Sequence, residues 1–220
     1  MKSSNAYPPW EAAAPLRIFL HWVYSKTNNL RLMHAGSLGK NGKGILFAGN
    51  GGAGKSGTVT AGIMHGLQSV GDDYILCEER SHSIIAKPLF STLKQDAKGI
   101  ARLGLNNEII QNKISNWQQK YEFTAQDIGG LDFVEQLELR AVFTPKIASK
   151  NKTTITPLSK AKAMLALAPS GAFQMPDDRA NSLKFAASIV RNLPCYRIEL
   201  GSDPNEVTDA IYKYLEHGLD

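Results

Sequence analysis

Eight consecutive residues, Gly49-Asn50-Gly51-Gly52-Ala53-Gly54-Lys55-Ser56, carry glycines, a lysine and a serine at the spacing G-x-x-x-x-G-K-[ST]. Glycines in such a loop free backbone N–H groups to wrap phosphate oxygens. The lysine reaches the β and γ phosphates of a nucleotide, and the serine hydroxyl is a ligand for Mg²⁺. Gly57 follows directly, weakening the first helical turn but permitting close backbone approach, and it is counted with the cradle. A chance glycine-rich turn would share the spacing but not the setting. Gly44-Ile45-Leu46-Phe47-Ala48 reads as an apolar strand before the loop, and Val59, Ile63 and Leu67 recur at helical spacing after it.

Transfer of a phosphoryl group also needs carboxylates near the γ phosphate, one for the attacking hydroxyl and one for the metal. A helix from about Ser56 to His65 rises roughly 15 Å. Gly66 is a natural cap, and an extended Leu67 to Gly71 covers about 17 Å on the way back. Asp72 and Asp73 therefore return to the phosphate end. Neighbours on a regular strand face opposite sides, so both serve one site only if the chain bends or the strand ends there. From the residues alone, a solvated Gly-Asp-Asp turn is an equal reading.

On the other side of the cradle, Leu30 to Leu38 reads as one strand and Gly39-Lys40-Asn41-Gly42 as a hairpin turn. That pairing sets position 34 opposite position 48 or 49, so His34 is expected beside the triphosphate. Histidine can donate to phosphate and shuttle protons, although a histidine in a strand is more often a core residue.

The order His34, glycine loop, short helix and Asp72-Asp73, followed by Tyr74-Ile75-Leu76-Cys77, resembles the catalytic domain of the HPr kinase/phosphorylase family. More closely, it resembles the HPr serine kinase-like proteins, some of which accompany lasso-peptide tailoring genes. The resemblance extends through Lys87 to Lys94, Phe143-Thr144-Pro145-Lys146 and Leu193 to Gly201. It implies an α/β fold shared with phosphoenolpyruvate carboxykinase. It also implies that Lys55 and Ser56 bind phosphate and Mg²⁺, that Asp72 is the general base, and that Asp73, as a metal ligand, and His34 support it. Lys94 is placed near the rim, and relatives assemble into homo-oligomers. The signature stretch of HPr kinases is not identifiable here, which argues against phosphorylase activity. A classical Walker ATPase would need an apolar strand ending in aspartate after the loop helix. Ile84-Ile85-Ala86 ends in Lys87-Pro88, and Ile128 to Asp132 is broken by glycines.

The remaining elements must support this site. With 220 residues the chain suits one catalytic domain over 1–220, with an irregular, proline-bearing lead-in at 1–15 and a polar lid or substrate-facing insertion at 95–130. Leu16, Phe19, Leu20 and Val23 mark a packing face on a helix reaching about Lys26. A helical fragment is expected near Ile109, Ile110 and Ile114, with aromatic anchors at Trp117, Tyr121 and Phe123. Leu137 to Phe143 is strand-compatible, with Pro145 ending it, and the loop from Lys146 to Lys162 is basic. Lys146 is thus a candidate phosphate or substrate contact, against the commoner reading of a solvated loop. Helices are expected from Ser159 to Pro169 and from about Ala180 to Asn192. A strand follows at Cys195 to Leu200, then a helix with Asp203, Pro204 and Glu206 as a capping box.

A net charge of +5 fits a general solubility feature rather than a nucleic-acid footprint. No apolar run spans a bilayer and no signal peptide is recognised, so a cytoplasmic protein with no nucleic-acid or membrane partner is expected. Cys77 and Cys195 read as reduced core thiols. The expected activity is transfer of the γ-phosphoryl group of ATP, with Mg²⁺, to a hydroxyl, foremost a serine of a protein or peptide. Other nucleoside triphosphates or pyrophosphate are alternative donors. A small-molecule kinase and a silent nucleotide-binding regulator are the competing functions.

Overall fold

The structure, a computed structural model, describes residues 16–219 except 28, 106, 110–112, 117, 149 and 173–177. The expected lead-in at 1–15 and the readings of Ile110 and Trp117 lie outside the described residues. The first half runs α1 (Arg17–Ser25), β1 (Leu30–Met33), β2 (Gly36–Lys40), β3 (Lys43–Phe47), α2 (Lys55–Met64), β4 (Ile75–Arg80) and β5 (Ser83–Pro88). Then come β6 (Leu93–Asp96), α3 (Ala97–Arg102), β7 (Lys120–Phe123), β8 (Leu137–Ile147) and β9 (Thr154–Pro157). The chain closes with α4 (Lys160–Ala172), α5 (Arg179–Asn192), β10 (Cys195–Leu200) and α6 (Pro204–His217).

Eight strands form one mixed sheet, in the order β1-β4-β5-β8-β10-β9, with β3 on β8 and β2 on β3. The β3–β8 and β8–β10 pairs are parallel. Side chains alternate across the sheet, so each face builds its own core. On β3, Ile45 and Phe47 join the core under α2 and α6, whereas Leu46 joins Leu167, Phe185 and Ile189 of α4 and α5. The result is a three-layer mixed α/β fold. Phe143 centres the first core, its ring edge-on to Phe47, Tyr196 and Tyr214 at centroid distances of 5.9, 5.6 and 4.8 Å. A separate two-stranded sheet, β6 with β7, belongs to the segment expected as a lid or insertion.

Several expectations change. The stretch from Leu30 to Leu38 is two strands, β1 against β4 and β2 against β3, with His34 and Ala35 at the break between them. The hairpin turn itself falls where expected, within Gly39 to Gly42, and is centred on Asn41 and Gly42 at φ 51 and 76, the left-handed pair that suits a tight hairpin. Pro145 does not end β8, which runs to Ile147. Val142 N donates to Pro194 O on the β10 side, so by alternation the nitrogen of Pro145 faces the other edge. There β3 has already given way to the glycine loop, and no ladder bond is lost.

The face of α1 holding Leu16, Phe19 and Val23 is exposed rather than packed; His21 is its buried residue. Ile114 is also exposed, and the described helix near it is a single 3-10 turn, Asn107–Ile109. Helix α4 continues past Pro169 to Ala172. Asp203 caps α6 by accepting from Asn205 N, but Glu206 does not close a capping box. Its carboxylate accepts from Thr153 N at 2.9 Å and Thr153 Oγ1 at 2.6 Å, fastening the preceding loop to α6. No described helix is long and apolar enough to cross a membrane.

Candidate phosphate-binding site

The glycine loop joins β3 to α2 at the edge of a cavity of about 390 Å³. Gly54 sits at φ 102, and any side chain there would strike Leu200 Cδ1 at 2.4 Å, so the turn into α2 admits only glycine. Lys55 opens the helix with its ammonium folded onto the loop, donating to Gly49 O at 2.6 Å and Asn50 O at 3.2 Å. Burial pushes its pKa below the usual lysine value, against the opposing pull of Asp72 and Asp73. Gly51, Gly52, Gly54, Lys55, Ser56 and Gly57 all line the cavity.

The return from α2 follows the path expected from the chain lengths. Gly66 turns the chain at φ 80, and Gln68 to Gly71 then lies along β2. Gly39 and Gln68 exchange backbone bonds of 2.7 and 2.8 Å, and Ser37 N donates to Gly71 O at 3.0 Å. Ser37 and Ser69 lock the two segments, Ser69 Oγ donating to Ser37 O at 2.8 Å while Val70 N donates to Ser37 Oγ at 2.9 Å.

The bend required for both aspartates to serve one site is present. Asp73 adopts φ 79, and Tyr74 N donates to Asp72 O at 3.1 Å, closing a three-residue turn immediately before β4. A non-glycine residue in the left-handed region is a strained feature of the kind concentrated at functional sites.

The two carboxylates then occupy different surroundings. Asp72 is 2% exposed and does not line the cavity. Neither of its oxygens has a hydrogen-bond partner of ordinary geometry among the described residues, although the Ser56 hydroxyl is near enough to favour its charged form. Burial, reinforced by the charge of Asp73, pushes the Asp72 carboxyl above the usual carboxylate range.

Asp73 faces the cavity, with Oδ1 2.9 Å from His34 Nε2 and Oδ2 2.7 Å from Lys94 Nζ. Burial opposes its ionisation, but the bond to His34 and the charge of Lys94 overcome that and hold the carboxyl well below the usual range. His34 is steadied by the Tyr74 ring at 5.3 Å, and Arg17 Nη1 in turn donates to Tyr74 Oη at 2.8 Å.

The second sheet and α3 complete the cavity. Lys94 reaches it from β6, and Gln95 Nε2 donates to Thr60 Oγ1 of α2 at 2.9 Å, tying this lobe to the loop helix. Asp96 caps α3 by accepting from Gly99 N at 2.6 Å. From the same lobe come Lys98, Arg102, Gln118 and Lys120, none of which the sequence reading singled out. The only local signal was the Asp96 cap, which marks a helix start without indicating which way the helix faces. Lys146 lies at the exposed end of β8, in register with Glu199 of β10 and outside the cavity lining. Two lysines of the basic loop are committed elsewhere: Lys150 pairs with Glu199 at 3.1 Å, and Lys160 donates to Leu193 O.

The chain is similar in structure to the Hpr(Ser) kinase/phosphatase from Coxiella burnetii. The similarity covers 84% of this chain and 88% of that one, at 13% sequence identity and a TM-score of 0.44. No protein-family model and no curated protein matches the chain. At that depth of similarity, roles of individual residues rest on the geometry of this chain alone.

Proposed function

We propose that this protein is a Mg²⁺-dependent kinase that transfers the γ-phosphoryl group of ATP to a hydroxyl, with a serine of a protein or peptide as the acceptor. The observation that carries the reading is the division between the aspartates: Asp73 lines the cavity against His34 and Lys94, while Asp72 lies buried beside Ser56 without a well-formed hydrogen bond. The family resemblance implied the reverse roles, but access favours this assignment. Of the two aspartates it is Asp73 that lines the cavity an acceptor hydroxyl would enter; the contact with His34 orients its carboxylate, and His34 and Lys94 keep it ionised and able to accept the hydroxyl hydrogen.

Asp72 and Ser56 fit a metal instead. Two orphaned carboxylate oxygens in a buried place are costly unless a cation or proton meets them. Among the described residues no cluster of three or more His, Cys, Asp or Glu forms a metal cage. That suits Mg²⁺, which takes one or two protein oxygens and completes its shell from phosphate and water. Bound there, Mg²⁺ would neutralise charge on the β and γ oxygens. Lys55, released from Gly49 O and Asn50 O, would meet the same oxygens, and the loop amides would bind them without reorganising.

The test is incubation with γ-labelled ATP, Mg²⁺ and pools of protein, peptide or metabolite from the native cell. Label is expected on a serine-bearing protein or peptide. ATP binding with Mg²⁺ but no labelled acceptor of any kind would leave a nucleotide-binding module instead. Lys55→Ala is expected to weaken ATP binding at least tenfold and to lower transfer further, as read by calorimetry and by label incorporation.

A further inference from the structure

Three cations on the lobe side of the cavity have no task in the chemistry above. Lys98 and Arg102 lie four residues apart on α3, so they share one face, and Lys120 opens β7 in register with Asp96 of β6. All three line the cavity across from Gly51 to Ser56. Among the described residues none of them forms an ion pair, unlike Lys94, Lys113 and Lys150 of the same protein. Lys120 is close enough to Lys55 that its charge disfavours the Lys55 ammonium. Asp96 lines the same cavity but caps α3 and forms an ion pair with none of the three, and cations gathered so repel one another, an arrangement that an anionic ligand relieves.

The glycine after the motif belongs to this group. A side chain at Gly57 would meet Arg102 Nη2 at 2.3 Å, so the missing Cβ is what lets the guanidinium lie on the first turn of α2. Loop amides at that turn would meet the phosphate oxygens of a bound nucleotide, and an arginine fork beside them would add donors.

We infer that Lys98, Arg102 and Lys120 form a second anion subsite in this cavity, which takes a phosphate or carboxylate group in addition to the phosphates held by the glycine loop. The inference rests on the nucleotide-binding reading. The anion has two sources, the α-phosphate end of the nucleotide or an acidic group on the acceptor, and both present the same oxygens.

The experiment is calorimetry on the full chain and on two variants, Lys98→Gln/Arg102→Gln/Lys120→Gln and Gly57→Ala. Lys98 and Arg102 are exposed and Lys120 half-buried, so the triple variant should melt as the parent does. Gly57→Ala displaces only the end of a flexible side chain and improves helix propensity. Each protein is titrated with Mg·ATP and, after saturation with a non-hydrolysable ATP analogue, with inorganic phosphate.

If the nucleotide supplies the anion, both variants bind Mg·ATP at least tenfold more weakly, and the loaded parent takes up no phosphate. If the acceptor supplies it, the Mg·ATP affinity of the triple variant holds within twofold. The loaded parent then binds phosphate, and the triple variant does so at least tenfold more weakly. Unchanged ATP affinity together with no phosphate uptake by the loaded parent overturns the subsite. A parent that binds no Mg·ATP overturns the nucleotide reading itself, a separate result.

Discussion

Asp73→Asn is expected to lower phosphoryl transfer by about a thousandfold, within the range for loss of a positioned general base, while Mg·ATP still binds. The amide keeps the shape of the carboxylate but cannot accept the proton of the acceptor hydroxyl. It also removes the ion pair that Asp73 makes with Lys94, which is 5% exposed. Loss of a partly buried pair is expected to cost about 2 kcal/mol of stability. Because the folded Asp73 carboxyl is held below its unfolded pKa, its contribution is present above about pH 4 and fades as pH falls toward the folded value. The stability gap between parent and variant should therefore narrow in acid. Equal transfer rates in parent and variant would remove Asp73 from the role of base.

The neighbouring substitution should act in the opposite direction on stability. Asp72→Asn is expected to stabilise the metal-free protein by about 2 kcal/mol at neutral pH, because it removes a buried charge whose desolvation and repulsion from Asp73 outweigh the help of Ser56 and Lys55. For a chain of this size that is a rise of about 6 °C in melting temperature. The sign with pH also reverses. The folded Asp72 carboxyl has a raised pKa, so parent and variant should match below about pH 4, where both states are protonated. The advantage of the variant then grows as pH rises through the folded pKa. Transfer should nonetheless fall at least a hundredfold, and Mg²⁺ should strengthen ATP binding far less, since the ligands left for the metal, the Ser56 hydroxyl and an amide oxygen, carry no charge. Melting curves across pH and ATP titrations with and without Mg²⁺ check both parts. A destabilised Asp72→Asn that still binds Mg·ATP normally would contradict the assignment.

Local pattern exposed one part of this site more readily than the other. The cradle was legible because one motif specifies loop, lysine and serine together, and the return of Asp72 and Asp73 followed from rise per residue in a helix and a strand. Their division was not legible. It depends on the φ of 79 at Asp73, a single backbone dihedral that no periodicity reports. His34 was expected from hairpin arithmetic on one continuous strand. The strand in fact breaks there, and the histidine meets Asp73 from the bend between β1 and β2. Lys98, Arg102 and Lys120 were missed because their convergence depends on how the β6–β7 sheet and α3 pack over α2, a contact between segments distant in the chain. Gly57 read as a departure from good helix-forming sequence, and its reason lies in Arg102, which no local rule could supply.

Water can stand in for the unknown acceptor hydroxyl. Slow release of labelled phosphate from γ-labelled ATP is predicted for the parent protein, dependent on Mg²⁺ and lost in Asp73→Asn although that variant still binds the nucleotide. Mg·ATP that binds but is never cleaved, or is cleaved as fast by Asp73→Asn as by the parent, would contradict the proposed function.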